Sequence, residues 1–153
     1  MRQRFHPGTF ANRILIAGWA LVLLVGAGCS STPQTRHLAE HLPADIATAK
    51  ILSATPFIPQ QAYQCGPAAL AMVLADSGVA VAADDLVPLV YVPGRQGSFQ
   101  VEMLAAARQF NRLPLSIETN LSSLIRWIDA GKPVLVLQNL GLDWYQKWHY
   151  AVV

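Results

Sequence analysis

The chain has little of what marks several protein classes. It holds two cysteines, Cys29 and Cys65, in 153 residues, too few for the disulfide framework of small secreted domains. Charged side chains are only 13% of the sequence, and no cluster of Lys and Arg is interleaved with aromatics, so nucleic acid is not an expected partner. At 53% hydrophobic residues, the composition is far from that of disordered chains. His37 and His41 lie four residues apart beside Glu40. A third ligand is missing nearby, so neither a metal nor another cofactor is expected. The apolar run from Ile14 to Gly28 would measure about 22 Å as a helix, short of the roughly 30 Å hydrocarbon core. That excludes a well-matched membrane span and leaves at most one domain behind a targeting segment.

The N-terminus has the arrangement of an export signal. Arg2, Arg4 and Arg13 precede the apolar run, which ends in Gly26-Ala27-Gly28-Cys29-Ser30. This end resembles the lipobox of bacterial lipoproteins, in which small residues precede a cysteine that is lipidated and becomes the first residue. The resemblance implies a signal peptide over residues 1–28, lipidation of Cys29 and anchoring in a membrane. Ser30 in the next position implies the periplasmic face of the outer membrane. The leader carries three Arg; the rest of the chain has eight basic against nine acidic side chains, so the apparent basicity belongs to the export signal. Residues 29–54 read as a tether, with Ser30 to Pro33 linker-like and Pro43 interrupting a weakly apolar stretch.

The chemistry-bearing stretch is Tyr63-Gln64-Cys65-Gly66-Pro67-Ala68-Ala69-Leu70. Pro67 suits the first turn of a helix and Gly66 the turn before it. The apolar run that follows is stopped by Gly78. Cys65 is therefore expected at or just before a helix N-terminus, where unpaired N–H groups and the helix dipole favour a thiolate. Alone, the residue reads more readily as a small buried apolar group. Gln60, Gln61 and Gln64 lie just upstream, and a side-chain amide there can donate to an oxyanion.

Further along, Asp84 and Asp85 open a short helix running through Val90, and the segment from Tyr91 to Gly97 reads as a loop. Ser98 is placed to cap a helix from Phe99 to Phe110, with a core stripe of Met103, Leu104, Ala107 and Phe110. Leu113 to Glu118 reads as a short strand. Asn120 caps a helix whose Leu121, Leu124, Ile125 and Ile128 share one face and which ends at Gly131. Val134 to Gln138 is a continuous apolar run, typical of a strand covered on both faces. It is expected to pair as a hairpin with Lys147 to Val153, which contains His149. A cysteine at a helix start and a distant histidine on a strand are the two halves of a Cys-His nucleophilic site. By itself, His149 reads as a core or edge histidine.

Together with Gly97-Ser98 and Pro133-Val134-Leu135-Val136, the Cys-Gly-Pro-Ala-Ala and His-Tyr-Ala-Val-Val elements resemble the papain-like cysteine peptidases of the bacteriocin-processing, double-glycine type. The similarity is strongest to their stand-alone lipoprotein members. It implies an α+β, papain-like fold over residues 55–153, with a helical N-terminal part carrying Cys65 and an antiparallel sheet carrying His149. It further implies Cys65 as nucleophile, His149 as general base and Gln60 as oxyanion donor, with Gln61 and Gln64 as alternatives. In that family an Asp or Asn after the histidine orients it. The chain runs only four residues beyond His149, so that residue and the strands around it are expected beyond Val153, leaving the sheet incomplete. Asp129 and Asp143 precede His149 and do not match it.

The resulting expectation is a membrane-anchored thiol peptidase acting on a peptide or protein substrate. Two alternatives stand beside it. One is a peptide-binding lipoprotein that has kept the groove without turnover; the other is a cell-wall peptide hydrolase or thiol acyltransferase.

Overall fold

The computed structural model describes residues 32–46 and 49–153. The expected signal peptide and the lipidation site at Cys29 lie outside them. Helix α1 spans Pro33–Glu40, α2 Cys65–Asp76 and α3 Ala83–Val90. A two-residue strand, β1 (Tyr91–Val92), a 3-10 turn over Pro93–Arg95 and β2 (Gly97–Ser98) follow. Then come α4 (Gln100–Gln109), α5 (Leu121–Asp129), β3 (Leu135–Asn139) and β4 (Trp148–Val152). The architecture is thus α+β, with two small antiparallel sheets, β1–β2 and β3–β4.

The helix ends follow from local chemistry. After α2, Gly78 takes a left-handed φ of 86°. Its N–H donates to Ala75 O at 3.0 Å and that of Val79 to Leu74 O at 2.9 Å, the paired bonds of a Schellman stop. Asn111 does the same for α4 at φ 56°, and Gly131 for α5 at φ 76°. At the other end of α5, Asn120 Oδ1 accepts from the Ser123 N–H at 2.7 Å, the side-chain cap expected of it.

Apolar residues of α2, α3 and α4 meet the β3–β4 hairpin in one core. Leu74, Leu86, Val90, Met103 and Tyr150 are each 4% exposed or less. In the hairpin, Leu135 pairs with Val152, Leu137 with Tyr150 and Gln138 with His149. Cross-strand partners share a face, so Leu135, Leu137, Tyr150 and Val152 face the helices while Val136, Gln138, His149 and Ala151 face away.

Four expectations about the strands and the cap of α4 change in the folded chain. Covering on both faces does not hold for β3, because its sheet has only two strands and one face against the helices. Leu113 to Glu118 forms no strand; among the described residues no neighbouring strand is there to hydrogen-bond it, and Leu113 and Leu115 stay exposed. The supposed loop from Tyr91 to Gly97 folds into the β1–β2 ribbon, pairing Tyr91 with Ser98. That pairing takes Ser98 away from the cap of α4, where Phe99 stands instead without a side-chain bond.

Helix α5 is the most strongly amphipathic element among the described residues, yet none of its residues is fully buried. An open cavity of about 1100 Å³ separates much of its apolar side from β3 and α4. Part of the stretch read as a tether lies on this helix. The Leu121 N–H donates to Gln34 Oε1 at 2.8 Å, and Arg126 meets Asp45 at 3.3 Å. Both ion-pair partners are well exposed, so the pair contributes little. Thr55 Oγ1 donates to Asp76 Oδ1 at 2.7 Å, tying the chain ahead of α2 to the far end of that helix.

Candidate active site

Cys65 is the first residue of α2 and is half-buried, with its thiol free. Pro67 consequently stands at the third helical position, still inside the first turn, where its missing N–H costs no intrahelical bond. The chain enters through a turn in which the Gln64 N–H donates to Gln61 O at 3.1 Å and Tyr63 adopts φ 63°. Gln64 occupies the cap position, but its side chain makes no capping bond. The first N–H groups of α2 are left without a side-chain acceptor, which suits an anion at this helix start.

Gly66 has a different job from the turn expected of it. It is helical and buried, and Ser98 of β2 lies directly against it. A Cβ built there would stand 2.7 Å from Ser98 Cβ, nearer still to Ser98 Oγ, and 3.4 Å from Met103 Sδ. The missing side chain lets the β1–β2 ribbon and α4 close over the first turn of the catalytic candidate helix.

The three glutamines sit to one side of that turn. Gln60, Gln61 and Gln64 line a cavity of about 230 Å³, walled by Ala68 of α2 and by Ala83 and Asp84 of α3. Gln60 and Gln61 are exposed, and neither they nor Gln64 hydrogen-bonds the Cys65 thiol among the described residues.

His149 is half-buried on β4, opposite Gln138. Strand β4 packs against α2, so the cysteine helix and the histidine strand are neighbours. Strand alternation nevertheless turns the His149 ring to the face away from the helices, and no hydrogen bond joins it to Cys65 among the described residues.

Of the β4 side chains packed against the helices, Tyr150 and Val152, the one with a polar group is Tyr150. It is 4% exposed, and its hydroxyl is buried without a partner. Burial, and then the nearby Cys65 and Glu102, raise its pKa from the ordinary 10.0 to about 12. The phenol is therefore a neutral donor across the working pH range. Glu102 Oε2 and Ser98 Oγ are likewise buried without partners. Sequence reasoning gave none of the three a place at the site: it read Ser98 as a helix cap, Tyr150 only as part of the run around His149, and Glu102 not at all. The signal for Tyr150 was its alternation with His149, since neighbours on a strand face opposite ways.

Elsewhere, the His37 and His41 rings stack with centroids 4.6 Å apart, and His41 Nδ1 donates to His37 O at 3.1 Å. Among the described residues no group of three or more His, Cys, Asp or Glu is placed to hold a metal. No helix among them is long and apolar enough to cross a membrane.

Chemically, the arrangement offers a free thiol at a helix start, a neutral buried phenol in the core against which that thiol packs, amide side chains to one side and an imidazole on the adjoining strand. Comparison with known proteins adds no identity: no protein-family model, curated protein or solved structure matches the chain significantly.

Proposed function

We propose that the protein is a thiol peptidase of the papain-like kind, held at a membrane through lipidated Cys29. The observation that supports it is the packing of α2, which begins at Cys65, against β4, which carries His149. In this reading His149 removes the thiol proton and the Cys65 sulfur attacks the peptide carbonyl carbon. The new oxyanion is held by the Cys65 N–H and a glutamine amide, with Gln60 the first choice. Collapse breaks the C–N bond, and His149 returns the proton to the leaving amine. Water then hydrolyses the thioester, restoring the thiol and releasing the acid. The His149 ring must turn round the end of β4 to reach the sulfur, because its face of the strand points away from α2.

That last requirement favours a second reading, a lipoprotein that binds peptides without cutting them. One experiment separates the two. A thiol-directed peptidase inhibitor is expected to label Cys65 much faster than free cysteine, with His149→Ala removing the difference, and peptide libraries are expected to be cleaved. Equal labelling rates in the folded protein, with peptides bound but intact, would leave only the binding reading.

A further inference from the structure

Three buried polar atoms without partners lie in one part of this small core: Tyr150 OH, Glu102 Oε2 and Ser98 Oγ. Buried polar groups are rarely left unmatched, and a cluster of them beside a nucleophile calls for a reason. Ser98 abuts Gly66 in the first turn of α2. Tyr150 belongs to the same core cluster against which Cys65 packs, and it reaches that cluster from β4 through the face it shares with Leu137. The ionisable groups around the phenol are Cys65 from α2 and Glu102 from α4. Among the described residues the phenol makes no hydrogen bond, to the Cys65 sulfur or to Glu102; it carries one proton to donate, and a thiolate at Cys65 would be a charged acceptor for it.

We propose that Tyr150 is a positioning residue for Cys65: its buried phenol O–H donates to the sulfur in its thiolate form and holds it at the start of α2. The proposal rests on Cys65 being the nucleophile of the site and extends that reading to a group on the opposite face of the strand from His149. Glu102 and Ser98 shape the pocket in which the phenol is kept. Glu102 also competes as an acceptor, and its negative charge opposes the thiolate.

The test reads thiol reactivity rather than peptide turnover. Iodoacetamide alkylation of Cys65 is followed from pH 5 to 9 in the full chain, with the Cys65 peptide quantified by mass spectrometry so that Cys29 does not interfere. Loss of a hydrogen bond to a charged acceptor in Tyr150→Phe is expected to move the half-maximal alkylation up by about one pH unit. The rate on the acid side then falls about tenfold. Glu102→Gln is expected to move the profile down. Leu137→Ala loosens the packing around Tyr150 while keeping the hydroxyl, and is expected to leave the profile in place. An unchanged profile in folded Tyr150→Phe, or an equal shift in Leu137→Ala, overturns the proposal. A Tyr150-dependent profile without peptide cleavage would remove the peptidase reading while leaving this role standing. Cleavage with an unchanged profile would remove this role alone.

Discussion

Replacing Gly66 by alanine is a direct probe of how the cysteine helix is seated. The added Cβ would lie 2.7 Å from Ser98 Cβ and closer to Ser98 Oγ, whereas nonbonded carbons rest about 3.5–4.0 Å apart. Ser98 would have to retreat by about 1 Å. It is held by its pairing with Tyr91 and leads directly into α4, so the retreat strains the ribbon as well as the side chain. Overpacking of this kind costs about 1–3 kcal/mol. The better helix propensity of alanine returns about 0.5–1 kcal/mol of that. The net expectation is a loss of about 1–2 kcal/mol. At a urea dependence of about 1.5 kcal/mol per molar, the unfolding midpoint falls by about 1 M. Ser98→Gly removes both obstructing atoms, so in the Gly66→Ala background it is expected to recover about 1 kcal/mol or more, a coupling that a double-mutant cycle measures. An unchanged or raised midpoint in Gly66→Ala, or strict additivity in the double mutant, would refute the close-approach reasoning.

The pH dependence of stability carries the signature of Tyr150. Its folded pKa of about 12 lies above the ordinary 10.0, so the unfolded chain loses the phenolic proton first as the solution becomes alkaline. The stabilisation is fully present below pH 10 and is lost between about pH 10 and 12; that gap corresponds to about 3 kcal/mol, an upper bound that solvent screening lowers. Urea midpoints measured from pH 9 to 11.5 are expected to fall, with a shallower fall in Tyr150→Phe; parallel curves would contradict the burial of the phenol. Asn120→Ala removes the cap on α5 and is expected to cost about 1 kcal/mol. Because no residue of α5 is fully buried, hydrogen exchange should report that loss mainly as faster opening of α5 amides, and uniform acceleration across the core would contradict it.

Much of the local structure was legible because short-range chemistry decides it. Cys65 followed by Gly66 and Pro67 marks a helix start, and Gly78, Gly131 and Asn120 mark ends and caps that hydrogen bonds within a few residues complete. The hairpin of β3 and β4 was likewise visible as two strand-forming runs on either side of a loop from Gly141 to Gln146. Leu113 to Glu118 was misread because strand character in a sequence reports a fit to a pleated surface, and among the described residues no strand lies beside it. Ser98 was misread because its pairing with Tyr91 overrides the local preference for a cap.

The candidate site divides along the same line. The sequence alone determined that a thiol stands at a helix start, that glutamines precede it and that a histidine lies on a strand, because each depends on neighbours in the chain. Only the tertiary structure decided which faces meet. The pleat of β4 turns Tyr150 to the cysteine helix and His149 away from it, and Gly66 leaves the gap that Ser98 fills. These outcomes depend on how strand, ribbon and helix pack, and packing between distant segments is not written in the spacing of any one of them.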